Sequence, residues 1–313
     1  MNTDAAQYGA VALLGLGAMG LPMALTLRRA GFQVTVFDVR SGPVQAAVAQ
    51  GATAAASTAD ALRGARAAIV MTQNIAQARE ALLSTNGGSA PLDGLAPGGL
   101  VLLTSTVAPA DARALAGECA ARGFLFVDAP VSGGPEGAET GGLTIMVGGA
   151  PDARAAAMPL LDALGAPDRV FVVGDEPGSG EAMKMINQLM AGVNIVATCE
   201  AMALAVKAGL DPRQAFTIVS DAAGGSWMFR NRAPRMLDGD FVPPHSVLNI
   251  FVKDLGIVND TANSLGLPLP VAGAARQAVL MGVAAGLGGE DDAGLVRFYE
   301  QLAGVSVSAA AKQ

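Results

Sequence analysis

Within an otherwise apolar stretch, Gly178-Ser179-Gly180-Glu181-Ala182-Met183-Lys184-Met185-Ile186-Asn187 holds the side chains best suited to chemistry. On a helix, Lys184 and Asn187 are i and i+3 and share a face. A lysine in such company is costly unless its charge or its pKa is used. Burial and the positive end of a helix dipole both disfavour the protonated amine, moving it toward the range useful for proton transfer. Asn187 can then orient a hydroxyl beside it. The same pattern equally suits a lysine that snorkels out at a domain seam.

Other polar groups follow strand-like runs. In Asp128-Ala129-Pro130-Val131-Ser132-Gly133-Gly134, a serine and two glycines leave a strand, giving either a concave set of N–H donors suited to a carboxylate or an ordinary tight turn. Thr104-Ser105-Thr106 ends the run at 100–103 and Thr72-Gln73-Asn74 ends the run at 67–71, both at the sheet edge where open α/β folds bind ligands. Near the start, the run at 11–14 leads into Gly15-Leu16-Gly17-Ala18-Met19-Gly20. Glycines in this pattern bring bare backbone N–H groups and a helix N-terminus against a pyrophosphate. Asp38 follows the run at 34–37, close to the spacing of roughly 20 residues at which an acid reaches the adenosine ribose. Its charge repels a 2′-phosphate, which favours NAD over NADP, although Arg40 is the residue type that accommodates one.

These groups need a scaffold. Short apolar runs at 11–14, 34–37, 67–71, 100–103, 124–127, 143–147 and 170–173 alternate with Ala-rich helical stretches, the rhythm of a doubly wound parallel sheet. We expect a Rossmann dinucleotide-binding domain over 8–174, ended by the Gly- and Pro-rich loop at 174–180. Beyond it the rhythm stops, and 175–308 is expected to be an all-α substrate and dimerisation domain. Its first element, 181–208, reads as one helix of roughly 42 Å. Being apolar on nearly all sides, it must be buried, in part against a second subunit as a homodimer or homotetramer. Further helices are expected at 213–222, 248–265 and 271–285, with breaks at Gly224-Gly225, Pro243-Pro244 and Pro268-Leu269-Pro270.

Composition sets bounds on function. The chain has 313 residues, 51% of them hydrophobic, enough for about two cored domains. Its formal charge of −7 lacks the basic footprint of a nucleic-acid protein. Mean hydropathy is +0.42, yet Pro, Gly, Asn or a charge is read as interrupting each apolar run before about 18 residues, so no membrane span is expected. Met1-Asn2-Thr3-Asp4 lacks a secretory signal's basic start, and a cytoplasmic location is expected. Cys119 and Cys199 have no partner at ligand spacing, so buried free thiols and no metal are expected. The single histidine, His245, reads as a solvated loop residue.

Together, Gly15-Leu16-Gly17-Ala18-Met19-Gly20-Leu21-Pro22-Met23-Ala24, Asp128-Ala129-Pro130-Val131-Ser132-Gly133-Gly134, Gly178-x-Gly180-x-x-x-Lys184-x-x-Asn187 and Lys253-Asp254-Leu255-Gly256 resemble the β-hydroxyacid dehydrogenase family, the 3-hydroxyisobutyrate dehydrogenase-like enzymes. The resemblance implies an active site between a Rossmann domain and a helical domain, with Lys184 as general acid/base. It implies that Ser132, Gly133 and Gly134 hold the substrate carboxylate, that Asn187 supports the reacting hydroxyl, and that Thr106 and Lys253 contact the cofactor near its nicotinamide. Thr72-Gln73-Asn74 departs from the Leu-Pro pair common in the family. With Asn187-Gln188-Leu189 and Gly224-Gly225-Ser226-Trp227-Met228, it looks most like the branch of L-threonate dehydrogenases. Ser226 and Trp227 are candidate pocket residues there, Trp227 suiting a core position equally well, and Asp254 either contacts substrate or orients Lys253. The expected activity is NAD-dependent oxidation of a small hydroxy acid, a four-carbon sugar acid first. Two related substrates, 3-hydroxyisobutyrate and tartronate semialdehyde, remain open, as does a non-catalytic dinucleotide sensor.

Overall fold

The computed structural model describes residues 5, 8–85 and 88–312. The start at 1–4 lies outside them. The chain divides into two compact units, Met1–Lys184 and Met185–Gln313.

In the first unit, strands β1 (Ala10–Leu14), β2 (Gln33–Phe37), β3 (Thr53–Ala54), β4 (Ala67–Val70), β5 (Leu100–Leu103) and β6 (Leu125–Asp128) are parallel, in the order β3-β2-β1-β4-β5-β6. That is the order of a dinucleotide-binding sheet. The sheet then continues with β7 (Val131–Ser132), β8 (Leu143–Gly148) and β9 (Gly165–Gly174); β8 is antiparallel to β6 and β7, and β9 parallel to β8. An apolar run marks a strand without marking its sense, and β3 and β7, two residues each, are too short to leave a pattern.

The helices of this unit are α1 (Gly20–Arg29), α2 (Ser41–Ala49), α3 (Thr58–Leu62), α4 (Ile75–Leu83), α5 (Pro109–Ala120), α6 (Gly134–Thr140) and α7 (Pro151–Leu164). They cover both faces of the sheet, which is why its central strands read as unbroken apolar runs. Val11 and Leu13 of β1 join a core with Met23 and Leu27 of α1 and Leu160 of α7, while Ala12 and Leu14 point into a second core with Leu62 of α3, Leu82 of α4 and Leu115 of α5. Each such Val or Leu contributes about 1.5–3 kcal/mol by leaving water.

Helix α8 (Ser179–Lys207) carries the chain from the first unit into the second. Its continuity through Asn187, Gly192 and Asn194 matches the expected long helix. Burial on all sides does not hold within this chain, because Met183, Ile186, Met190 and Leu204 are 45–67% exposed. By length and composition, Ser179–Lys207 and Pro270–Leu287 are both apolar enough to cross a membrane, contrary to the expectation that every run stops short. The interrupting Asn and Gly residues sit inside continuous helix and do not end it. The first of the two buries Glu181, Lys184, Gln188 and Thr198, polar residues that a core helix can satisfy internally.

The second unit adds α9 (Pro212–Asp221), α10 (Trp227–Asp238), α11 (Asn249–Ser264), α12 (Pro270–Gly282), α13 (Val296–Ala303) and α14 (Val307–Ala310). The α10 sequence is charged and contains Pro234, so its apolar periodicity is faint. Two ion pairs fix it. Arg232 reaches both carboxylate oxygens of Asp292 at 2.6 and 2.9 Å, and Arg235 reaches Asp291 at 2.7 Å, with both aspartates fully buried. The apolar core here gathers Ile195, Cys199 and Met202 of α8 with Met228, Met236, Phe251, Leu255 and Val279. Both cysteines are buried free thiols, and burial pushes Cys119 up to about 12.

Candidate active site

The glycine turn is shaped by two different constraints. Gly15 has φ +95°, and a Cβ there would lie 2.4 Å from the Met71 carbonyl oxygen; at Gly20 it would lie 1.9 Å from the Gly15 carbonyl oxygen. The protein's own backbone therefore demands both glycines. At Gly17 an added Cβ would meet nothing within 4 Å. The chain itself gives no packing reason for this glycine, whereas a backbone approaching a pyrophosphate does. On this test the turn fits a dinucleotide at the N-terminus of α1.

Asp38, at the end of β2, accepts from the Leu16 amide at 2.7 Å and from the Arg40 amide at 2.8 Å, and its carboxylate also pairs with the exposed Arg40 guanidinium at 3.1 Å. Burial pulls this carboxyl up. The hydrogen bonds from Arg40 and Leu16 outweigh that and hold it below the usual carboxylate range.

Along the carboxyl edge of the sheet, the expected residues are tied into one network. Ser105 Oγ accepts from the Thr72 amide at 2.8 Å, Thr104 Oγ1 donates to the Val70 carbonyl at 2.9 Å, and Thr72 Oγ1 donates to the Asn74 carbonyl at 3.2 Å. Asn74 caps α4 through the Gln77 amide, and Gln77 Oε1 accepts from the Gln73 amide. Ser132 ends β7, and Gly133 and Gly134 follow with φ +130° and +65°. This positive-φ pair turns the chain into α6. Thr106 is half-buried beside the same edge.

The start of α8 is bolted to this edge. Asp128, the last residue of β6, accepts from the amides of Gly178 at 2.8 Å and Glu181 at 2.9 Å. Burial pushes its carboxyl up and backbone amides, those of Glu181 and Gly178 foremost, oppose that, leaving it above the usual range. A Cβ on Gly180 would lie 2.3 Å from the Met146 carbonyl oxygen, and one on Gly178 would lie 2.6 Å from that of Pro109. The Gly-x-Gly spacing is thus explained by backbone contact at the helix entry, which sets where Lys184 stands. Lys184 is 6% exposed, with fully buried Glu181 one turn before it; Glu181 also accepts from the Val107 amide at 3.2 Å.

In the helical unit a second polar cluster forms. Asn187 Nδ2 donates to Gln188 Oε1 at 2.8 Å, Gln188 Nε2 donates to Asp254 Oδ2, and Lys253 Nζ lies 2.9 Å from Asp254 Oδ1. Asp254 thus lies against Lys253 and, through Gln188, reaches Asn187. Ser226 Oγ caps α10 by accepting from the Phe229 amide at 3.0 Å, and Trp227 is 55% exposed with the Arg232 guanidinium 5.9 Å from its ring centre. Trp227 is therefore not a core residue, and among the described residues no hydrogen bond joins Ser226 or Trp227 to the other candidates. His245 is exposed, and its amide donates to Asp291 at 2.8 Å. Among the described residues no His, Cys, Asp and Glu cluster could hold a metal.

Sequence reasoning passed over Asp128, Glu181 and Gln188. The signal for two of them was helical spacing. Glu181, Lys184 and Gln188 fall at i−3, i and i+4 on the buried face of α8. Asp128 was visible only as the first residue of a loop motif, since its partners lie 50 and 53 positions away.

Residues 10–174 match the NAD-binding domain family of 6-phosphogluconate dehydrogenase, and residues 178–299 match the NAD-binding domain family of NADP-dependent 3-hydroxyisobutyrate dehydrogenase. An L-threonate dehydrogenase of Cupriavidus necator is 41% identical over 291 residues, 92% of this chain and 95% of that protein. An L-threonate dehydrogenase of Escherichia coli K12 is 39% identical, covering 93% of this chain and 95% of that one. A crystal structure of 3-hydroxyisobutyrate dehydrogenase from Salmonella typhimurium superimposes with a TM-score of 0.85 at 38% identity, covering 93% of this chain and 99% of that chain. The chain belongs to the β-hydroxyacid dehydrogenases of the 3-hydroxyisobutyrate dehydrogenase-like family, NAD-dependent oxidoreductases of hydroxy acids.

Proposed function

We propose that the protein oxidises a small polyhydroxy acid, L-threonate first among them, to its 2-oxo acid. Bound NAD supplies a hydride acceptor at its nicotinamide. The observation that carries the reading is the near-complete burial of Lys184 on a helix whose first turn is clamped to the sheet edge by Asp128. Lys184 Nζ takes the substrate hydroxyl proton as the hydride leaves the carbinol carbon. The Gly133 and Gly134 amides with Ser132 hold the substrate carboxylate, and Asn187 supports the reacting oxygen. Ser226 and Trp227 meet the further hydroxyls, and Asp254 keeps Lys253 in place. The glycines and amides of residues 15–20 hold the pyrophosphate and Asp38 the ribose; Thr72, Gln73, Asn74, Thr106 and Lys253 line the path toward the nicotinamide.

The division of labour follows the sequence boundaries, dinucleotide binding over 8–174 and substrate binding over 175–308. The exposed Met183, Ile186 and Met190, at i, i+3 and i+7 on α8, suit burial against a second copy in a homodimer or homotetramer. The L-threonate dehydrogenase names of the relatives and the two buried thiols favour a cytoplasmic metabolic enzyme. A screen of hydroxy acids followed by NADH absorbance, with NAD and NADP in parallel, tests the reading. L-threonate with NAD is expected to react fastest. A preference for 3-hydroxyisobutyrate, or for reducing tartronate semialdehyde, would redirect the substrate assignment, and inactivity with every acid would end it.

A further inference from the structure

Gln188 is not accounted for by the oxidation as described above. It is 8% exposed, its side-chain amide lies between Asn187 and Asp254, and Asp254 is 2% exposed and paired with Lys253. We propose that Gln188 is a positioning residue for the reaction, fixing which way round the Asn187 amide is presented one turn along α8 from Lys184.

The polarity follows from donor and acceptor chemistry. A carboxylate only accepts, so Gln188 must turn its NH2 group to Asp254. Its Oε1 then faces the other way and needs a donor. Asn187 answers with Nδ2, at 2.8 Å. Asn187 is thereby left with Oδ1 and its second N–H, neither of which has a partner among the described residues. Reversing the Asn187 amide would set two carbonyl oxygens against each other beside the buried Gln188, so Asp254 dictates the orientation of a half-buried side chain 67 positions away in sequence.

This orientation suits the proposed oxidation, on which the inference rests. As the substrate hydroxyl loses its proton to Lys184, negative charge builds on that oxygen until the hydride leaves. The second Asn187 N–H is a donor for that charge, and Oδ1 accepts from a neighbouring substrate hydroxyl. An inverted amide would place a carbonyl oxygen against the developing alkoxide. Among the described residues, the charged groups at Gln188 are Asp254 and, paired with it, Lys253 on α11, with Arg276 of α12 facing α11 at Gly256; along α8 itself Lys184 precedes Gln188 by four positions.

Two substitutions test the proposal, with kcat measured across pH on whichever acid the wild-type enzyme turns over fastest. Gln188→Leu removes the relay while keeping volume. Its kcat should fall about 100-fold, the scale of a misplaced catalytic group. Its NADH affinity by fluorescence titration and its thermal unfolding midpoint should stay near those of wild type. Gln188→Glu places two carboxyls in contact, so that they share a proton. Protonated, the introduced carboxyl still donates to Asp254 and accepts from Asn187; ionised, it cannot donate. The variant should therefore work at low pH and lose kcat as pH rises, along a limb absent from wild type. A purely structural role would not create that limb. Wild-type kcat in Gln188→Leu, or a wild-type pH profile in Gln188→Glu, overturns the proposal. Inactivity of the wild-type enzyme with every hydroxy acid would instead count against the functional reading.

Discussion

The glycine turn at residues 15–20 and the hydrogen-bonded chain of Asn187, Gln188, Asp254 and Lys253 both belong to the proposed site, but they are encoded differently. The turn is local. Gly20 is required by the Gly15 carbonyl within the turn and Gly15 by the Met71 carbonyl at the end of the neighbouring strand β4, while Gly17 answers to a ligand alone. The polar chain is assembled from two helices, with Gln188 meeting Asp254 across 66 positions. In the proposed site, short-range geometry builds the generic half, a nucleotide cradle, and tertiary contact between helices builds the half assigned to the reaction. The sharpest way to separate the halves is Lys184→Ala. Removing a general base costs about 10²–10⁴-fold in turnover, while NADH affinity by fluorescence titration should stay near wild type. If both fell together, the two halves would not be separable.

A different break tests whether the helical unit depends on long-range charge pairing as its polar chain suggests. Arg232 holds the fully buried Asp292 by two contacts. Arg232→Met would leave that carboxylate without its partner, at a cost of about 3–5 kcal/mol in chemical denaturation. Arg63→Ala, which removes an exposed pair with Asp60 in the sheet unit, should change stability by less than about 1 kcal/mol. Equal effects would mean that the buried pair is no more than a surface contact.

The same contrast explains what was legible in the sequence. The strands β1, β2, β4, β5 and β6 appeared as apolar runs because both faces of the sheet are buried, and α8 appeared because its length and lack of proline leave few other conformations. The antiparallel sense of β8 was not written in any run, since it depends on which strand β8 meets. Helix α10 was obscured by Arg230, Arg232 and Arg235, whose partners are distant aspartates or the Ser220 carbonyl. Lys184 and Asn187 stood out as polar residues in apolar surroundings. Gln188 stood equally close and carried no sign of its role until Asp254 was placed against it.

Within the turn, two alanine substitutions should part company. Gly20→Ala sets a Cβ against the Gly15 carbonyl oxygen, where neither backbone can yield, and should cost about 1–3 kcal/mol of stability. Gly17→Ala points into open space and should leave the thermal midpoint unchanged while weakening NADH binding about tenfold, or 1.4 kcal/mol. A stable Gly20→Ala, or a Gly17→Ala with intact affinity, would refute the claim that protein and ligand divide these glycines between them.

The smallest effect expected, and the finest division, is at Asp38. Its carboxylate repels a 2′-phosphate, yet it also occupies the Arg40 guanidinium that could receive one. Asp38→Asn removes the repulsion and releases Arg40, so NADPH should gain affinity by about tenfold while NADH loses some. Arg40→Ala should do the opposite, leaving the acid unshielded and NADPH weaker still. Acidification gives a second readout. Because the folded carboxyl is held below its ordinary value, its contribution to stability is present above the unfolded carboxylate range and is lost as pH falls through the folded value. The unfolding midpoint of Asp38→Asn should therefore drop less on acidification than that of wild type. An unchanged NADH to NADPH preference in both variants would move cofactor selection away from the end of β2, and the local half of the site would no longer explain which nucleotide it takes.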